Sequence, residues 1–251
     1  MKSAMAEGQT HIIPCMPLSA NVHEVLQRIA AAAARVGRKP EEITLMGVSK
    51  TVEPERIRQA YEAGIRVFGE NRVQEFAEKS DALKDLKDAE WHLIGHLQSN
   101  KAKKAAEIFH AVDSVDSLRL AEKLNQAAQQ AGKTLNVLIE IKVGTEETKA
   151  GIPVASPELE ELLHAALSLD HLQICGLMAI PPHTEDPGGA RPYFRLLRDL
   201  RDQIAARKLP RIQMDVLSMG MSHDFEVAIE EGSTCVRLGT AIFGERPKPP
   251  A

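Results

Sequence analysis

The chain is short of aromatic residues, with six Phe, two Tyr and one Trp in 251 residues. A core made from it must rest on aliphatic side chains and alanine. Cysteine is scarce too. Cys15, Cys175 and Cys235 cannot form a disulfide framework, and the last two sit in apolar runs where they read as small buried hydrophobes. A reducing, cytoplasmic setting is expected. No apolar stretch approaches the roughly 20 residues that span a bilayer. The opening MKSAMAEGQTHIIPCMPLSA lacks the continuous apolar run of a secretory signal, so residues 1–17 are expected to be a flexible tail. Charge of one sign is missing as well: 31 Lys and Arg stand against 35 Asp and Glu, a net charge of −4. Neither nucleic acid nor a membrane is expected as a partner. No Gly-x-Gly-x-x-Gly follows an early apolar run, and there is no Walker loop and no Ser/His/Asp signature, which argues against the usual dinucleotide and nucleotide readings.

What is present is alternation. Eight short apolar runs, at 43–49, 65–69, 91–96, 109–113, 136–143, 172–180, 213–219 and 234–243, are separated by amphipathic segments. Several runs are continuous, as strands buried on both faces are. In PERIRQAYEAG, Ile57, Ala60 and Tyr61 share a face and Gly64 is a natural stop. Ser156 is an N-cap candidate for the helix that carries Leu159, Leu162 and Leu163. Other helices are expected over 71–84, 100–106, 117–132, 189–206 and 223–230. Eight strands joined by helices in one chain of this length predict an α/β fold, a single (β/α)8 barrel over residues 18–246. An open doubly wound sheet is the alternative, and the missing dinucleotide glycines count against it. The spare helix expected at 19–36 precedes the first strand and would fill the place left by ERPKPPA, which is too short and proline-rich to close the ring. Residues 247–251 are expected to be a short tail. The irregular segment PPHTEDPGGAR, Pro181 to Arg191, is a candidate flap.

In such barrels the C-terminal strand ends build the site, and phosphate usually sits after strands seven and eight. SMGMSHDF places Ser218 and Ser222 before a helix, and RLGT adds Arg237, Gly239 and Thr240. Together they form a candidate phosphate cradle. The first run ends in Ser49-Lys50-Thr51, which puts an amine at the same mouth, beside the last strand of a closed barrel. An amine facing a phosphate site points to Schiff-base chemistry with a phosphorylated aldehyde, for which pyridoxal 5′-phosphate is the candidate. Lys142, at another strand end, is the rival amine, or else a lysine ion-paired with Glu140. His92 and His96 share a strand face, but no third ligand at a metal spacing follows them and no metal is expected. Asp113, Asp116, Asp224 and Glu226 read as caps or first-turn acids.

The motifs GVSKT, FGENRVQE, WHLIGHLQSNK, DSVDS, CGLMAI, LSMGMSHDFEVAIEEGST and VRLGTAIFG, in that order from about Leu18 to Gly244, resemble the pyridoxal phosphate homeostasis protein family. The resemblance implies a barrel like the N-terminal domain of alanine racemase, with the cofactor held as an internal aldimine. It assigns Lys50 to the aldehyde and Ser222, Gly239 and Thr240 to the phosphate. It places Arg237 near the pyridine nitrogen or the phosphate, with Asn71 and Met219 lining the pocket. Lys142 departs from the family pattern, which has a smaller polar residue there. The implied role is a carrier and regulator of cellular pyridoxal phosphate that affects amino-acid and keto-acid balance without established catalysis. Its partners would be apo-enzymes that accept the cofactor. A racemase would need a second base, usually a tyrosine, and the two tyrosines here, Tyr61 and Tyr193, fall on expected helices. A weak racemase with Lys50 as its sole base is the alternative. A monomer is expected, since no long apolar seam is visible.

Overall fold

The structure, a computed structural model, describes residues 17–144, 146 and 150–245. Apart from Pro17, the expected tails at 1–17 and 247–251 lie outside the described residues, as does Cys15. Nine strands are described, all but β6 within the apolar runs or overlapping them: β1 Thr44–Val48, β2 Val67–Glu70, β3 Glu90–Leu93, β4 Ala111–Val115, β5 Leu135–Lys142, β6 Ile152–Pro153, β7 Leu172–Met178, β8 Ile212–Ser218 and β9 Cys235–Leu238. Eight pair in parallel in the ring order β1, β2, β3, β4, β5, β7, β8, β9, and β9 returns to β1. The two-residue β6 only extends the end of β5. The ring is therefore a closed eight-stranded barrel without an edge strand, which leaves no unpaired strand for a second chain to join.

Nine helices are described: α1 Leu18–Arg35, α2 Pro54–Glu62, α3 Val73–Lys79, α4 Ala102–Ile108, α5 Leu118–Gln130, α6 Pro157–Ala165, α7 Arg191–Ala206, α8 Phe225–Glu230 and α9 Thr240–Phe243. Helix α1 buries Val22, Val25, Ile29, Ala32 and Ala33 and packs against α2, α8 and α9. It occupies the ring position beside β1 and β9, the place the sequence leaves open. The Ser156 hydroxyl accepts the Leu159 amide as the expected cap. Gly64 ends α2 with a left-handed φ of 106°.

Three elements differ from the sequence expectation. The run 234–243 is a strand only to Leu238. Gly239 turns the chain, and the Phe243 amide bonds the Gly239 carbonyl at 2.8 Å in a short helix. The third strand stops at Leu93, and two residues on Gly95 lies so close to the Asn71 backbone that a side chain there would collide with it. Helix α3 ends at Lys79 rather than 84: the Ser80 hydroxyl bonds the Ala77 carbonyl and a tight 3-10 turn follows over 80–83.

Hydrophobic side chains fill two spaces. A small plug inside the barrel holds Met46, Val48, Ile94, Leu138, Met178 and Cys235. A much larger core lies between strands and helices. The scarce aromatics are concentrated there: Trp91 stacks on Phe68 at 5.0 Å and meets Phe76 at 4.7 Å, and Phe76 meets Phe109 at 4.9 Å. This cluster seats α3 against β2 and β3. Phe76→Ala should therefore cost about 3–5 kcal/mol of unfolding free energy, read from denaturant titration. A loss below about 1 kcal/mol would mean that the cluster does not hold α3.

Candidate functional site

The C-terminal ends of the strands open on a cavity of about 580 Å³, within the range of small-molecule sites. Lys50, Asn71, Ser222, Arg237, Gly239 and Thr240 all line it, as does Lys142. Six of the seven residues singled out as cofactor ligands thus meet at one mouth. Met219 does not: it is the residue after β8, and strand alternation turns its side chain outward into the core between strands and helices, where it is fully buried.

Lys50 reaches the mouth from the turn that follows β1. The Val52 amide closes that turn on the Ser49 carbonyl at 3.1 Å. Thr51 takes a left-handed φ of 58°, a conformation that costs a residue with a Cβ about 1–2 kcal/mol. Closure of the barrel brings β9 alongside β1, with Met46 opposite Arg237 and Gly47 opposite Leu238. Gly239 and Thr240 follow directly. The Ser222 hydroxyl accepts the Ala241 amide at 3.2 Å and ties the loop after β8 to the loop after β9. The amides of Ser222 and His223 have no backbone acceptor among the described residues. Helices α8 and α9 have only six and four residues, so hydroxyls and loop amides, more than a helix dipole, make this corner receptive to an anion.

Arg237 crosses beneath the mouth. Nη1 donates to the Ser218 carbonyl at 2.7 Å and to its Oγ at 2.8 Å, and Nη2 donates to the Ala179 carbonyl at 2.9 Å. Burial works against its charge, opposed by Asp113, Glu140 and Asp224. A guanidinium remains protonated through such a shift.

Glu140 was considered from sequence only as a partner for Lys142, and its place is different. It lines the cavity, is 7% exposed, and has no side-chain hydrogen bond among the described residues. The neighbouring charges acting on it are those of Asp116, Arg237 and His96 rather than Lys142. Burial, reinforced by Asp116, pushes its carboxyl up to about 7. The signal in the sequence was an acid inside the apolar run LNVLIEIK.

His92 and His96 part company, because the strand ends between them. His92 sits at the opposite, N-terminal end of the barrel, its Nδ1 3.1 Å from both oxygens of Asp113. Burial opposes its charge, yet Asp113 and Glu90 outweigh this and raise it to about 10. His96 is at the mouth, 2.9 Å from Asp116. No group of three metal-ligating side chains occurs among the described residues. Asp224 caps the turn before α8 by accepting the Met221 amide, and Glu226 pairs with Arg28. In the segment 181–191, Thr184 offers its carbonyl to His223 Nε2 at 3.0 Å, and the His183 and His223 rings lie 5.4 Å apart. The candidate flap thus adjoins the mouth.

The mouth therefore combines a primary amine on a fixed turn, an anion-receptive corner, and Lys142 and Arg237 as further cations, with Glu140 as an acid. Comparison with known proteins shows the family. The family described as alanine racemase, N-terminal domain, matches residues 21–247. An alanine racemase of Clostridium difficile has the same fold, with a TM-score of 0.67 at 15% identity, and this chain spans 58% of its length. A pyridoxal phosphate homeostasis protein of Aquifex aeolicus is 50% identical over 223 residues, covering 88% of this chain and 95% of that protein. PipY of Synechococcus elongatus, solved with PLP bound, is 38% identical with a TM-score of 0.76, covering 88% of this chain and all of that one. The chain belongs to the pyridoxal phosphate homeostasis protein family.

The Glu140 position has a measurable consequence. Between the ordinary carboxyl pKa of 4.5 and about 7, the folded protein holds a proton there that the unfolded chain has lost. Its contribution to stability therefore declines as pH rises through that window. Glu140→Gln should be more stable than the parent at pH 8, by on the order of 1–3 kcal/mol, with the difference vanishing near pH 4. Denaturant midpoints at the two pH values check this, and an equal effect at both would place the carboxyl in water.

Proposed function

We propose that this protein binds pyridoxal 5′-phosphate at the barrel mouth, covalently through Lys50, and that it stores and delivers the cofactor rather than catalysing a reaction of its own. The observation that carries this reading is the gathering of Lys50, Ser222, Gly239, Thr240 and Arg237 around one cavity of suitable size. The donor set fits the group. When bound, pyridoxal phosphate would supply an aldehyde for the Lys50 amine to condense with, losing water, and a phosphate that needs an anion site. Ser222, Gly239 and Thr240 would receive the phosphate. Asn71 would border the ring. Arg237, fixed by Ser218 and Ala179, is a permanent cation that would disfavour protonation of a ring nitrogen held beside it, and so would weaken the electron sink that amino-acid chemistry on this cofactor requires.

The absence of a tyrosine at the mouth supports holding over catalysis. Tyr61 is on α2 and Tyr193 on α7, and neither lines the cavity. The racemase alternative would leave Lys50 as sole base, and exchange of amino-acid α-hydrogen in heavy water tests it. The acceptors would be apo-enzymes that use the cofactor. The large exposed hydrophobics, Leu26, Val36, Leu167, Ile180, Leu196 and Met221, are few, which supports a monomer. Free Cys175 and Cys235 support a reducing, cytoplasmic setting. No described helix is long and apolar enough to cross a membrane.

The test is absorption of the purified protein before and after borohydride, followed by peptide mapping. Label on Lys50, lost in Lys50→Ala, is the expected result. Label on Lys142 would keep the cofactor and overturn the assignment. A protein that neither carries nor takes up pyridoxal phosphate would overturn the function.

A further inference from the structure

The turn that carries Lys50 is gripped from behind by α3. Lys79 is only 9% exposed, and its ammonium makes three contacts: the Ser49 carbonyl at 2.9 Å, Glu70 Oε1 at 2.8 Å and Glu75 Oε1 at 3.1 Å. Glu70 Oε1 also receives the Ser49 hydroxyl at 2.5 Å, and Glu75 Oε1 receives the Thr51 amide at 2.5 Å. Both neighbours of Lys50 are therefore tied to one buried ion cluster, while none of the three cluster residues lines the cavity.

The cluster is an expensive way to hold a fold. Glu70 is fully buried, and its Oε2 has no hydrogen-bond partner. Burial raises its carboxyl despite Lys79 and the Ser49 hydroxyl. A buried ion pair is often no better for stability than apolar packing of the same volume. What apolar side chains could not do is bond the Ser49 carbonyl and the Thr51 amide. Those two bonds hold Thr51 in its left-handed conformation, which a β-branched residue adopts only when its surroundings impose it.

We propose that Lys79, Glu70 and Glu75 are positioning residues for Lys50, a clamp that fixes the lysine turn so that its amine faces the mouth. The proposal rests on the reading of Lys50 as the aldehyde-binding amine. It assigns the strain at Thr51 a role: the turn is kept in one conformation before the cofactor arrives, so less ordering remains to be done on binding.

The experiment titrates the parent and four variants with pyridoxal phosphate, follows adduct absorbance, and maps the borohydride-trapped label. Glu75 is only partly buried, so Glu75→Ala should fold normally, which denaturant titration verifies. It should weaken adduct formation about tenfold, or ~1.4 kcal/mol, and move part of the label from Lys50 to Lys142. Lys79→Met should do the same or more, and Lys79→Arg should recover most of the affinity. Adding Thr51→Gly to Glu75→Ala should also recover affinity, since glycine needs no clamp to stay left-handed. A purely structural role would not be relieved by that glycine. Parental affinity and labelling in Glu75→Ala and in a folded Lys79→Met would overturn this proposal alone. Label elsewhere than Lys50 in the parent would overturn the binding reading and the clamp with it.

Discussion

The parallel pairing of β1 with β9 closes the ring, and the site depends on that closure. Residues 49–51 and 239–240 are almost two hundred positions apart in the chain. They become neighbours because Gly47 lies opposite Leu238. One residue of slip would move Arg237 from the interior to the helix side and send Val236 inward, since strand side chains alternate. Arg237 tolerates no such move. Among the described residues its guanidinium is satisfied by the Ser218 carbonyl and hydroxyl and the Ala179 carbonyl, at the ends of β8 and β7. Register and buried charge therefore specify one another.

The same economy governs where charge is buried. Inside the mouth, cations predominate: Lys50, Lys142 and Arg237 against Glu140. That balance favours an anionic occupant, while burial and Asp116 keep the Glu140 carboxyl raised against the pull of Arg237. Behind the mouth the order is reversed, with Lys79 set between Glu70 and Glu75. Each set keeps its own compensation, so the anion corner need not neutralise the charges that hold the lysine turn. At the far end of the barrel, His92 and Asp113 form a third local balance.

The barrel was legible because its signals are local. Aliphatic runs, the Ser156 cap and the Gly64 stop each act within a few residues, and eight repetitions of strand and helix leave few topologies open. The lysine, the two serine and glycine loops and the arginine were legible for the same reason: they end strands, where barrels do chemistry. Met219 failed because it directly follows the strand, and one position of alternation decides between cavity and core. The shared face read for His92 and His96 does not form, because the strand ends at Leu93, between them. Glu140 and the Lys79 cluster could not be read. Glu75 lies one helical turn from Lys79, but the worth of that pair depends on Ser49, distant in sequence, as the worth of Glu140 depends on Asp116 and Arg237, and no local pattern names these.

Lys50 and Lys142 show why position in the ring outranks exposure in choosing between two amines. Both are half-buried and both line the cavity. Their strands, β1 and β5, stand four places apart in a ring of eight and so face each other across the barrel. The anion-receptive loops follow β8 and β9, which places them beside Lys50 and away from Lys142. A ligand with an aldehyde and a phosphate on one small ring must reach both groups at once, so the shorter arc favours Lys50. The backbone adds to that preference. Lys50 extends from a turn closed by Val52 and braced at Ser49 and Thr51, whereas Lys142 is the last residue of β5, held by strand pairing on one side of a chain that leaves the sheet. A fixed amine gives up less freedom when it bonds than a mobile one. For the proposed ligand, proximity to the anion corner and rigidity of the turn would thus favour the same lysine by independent physical routes.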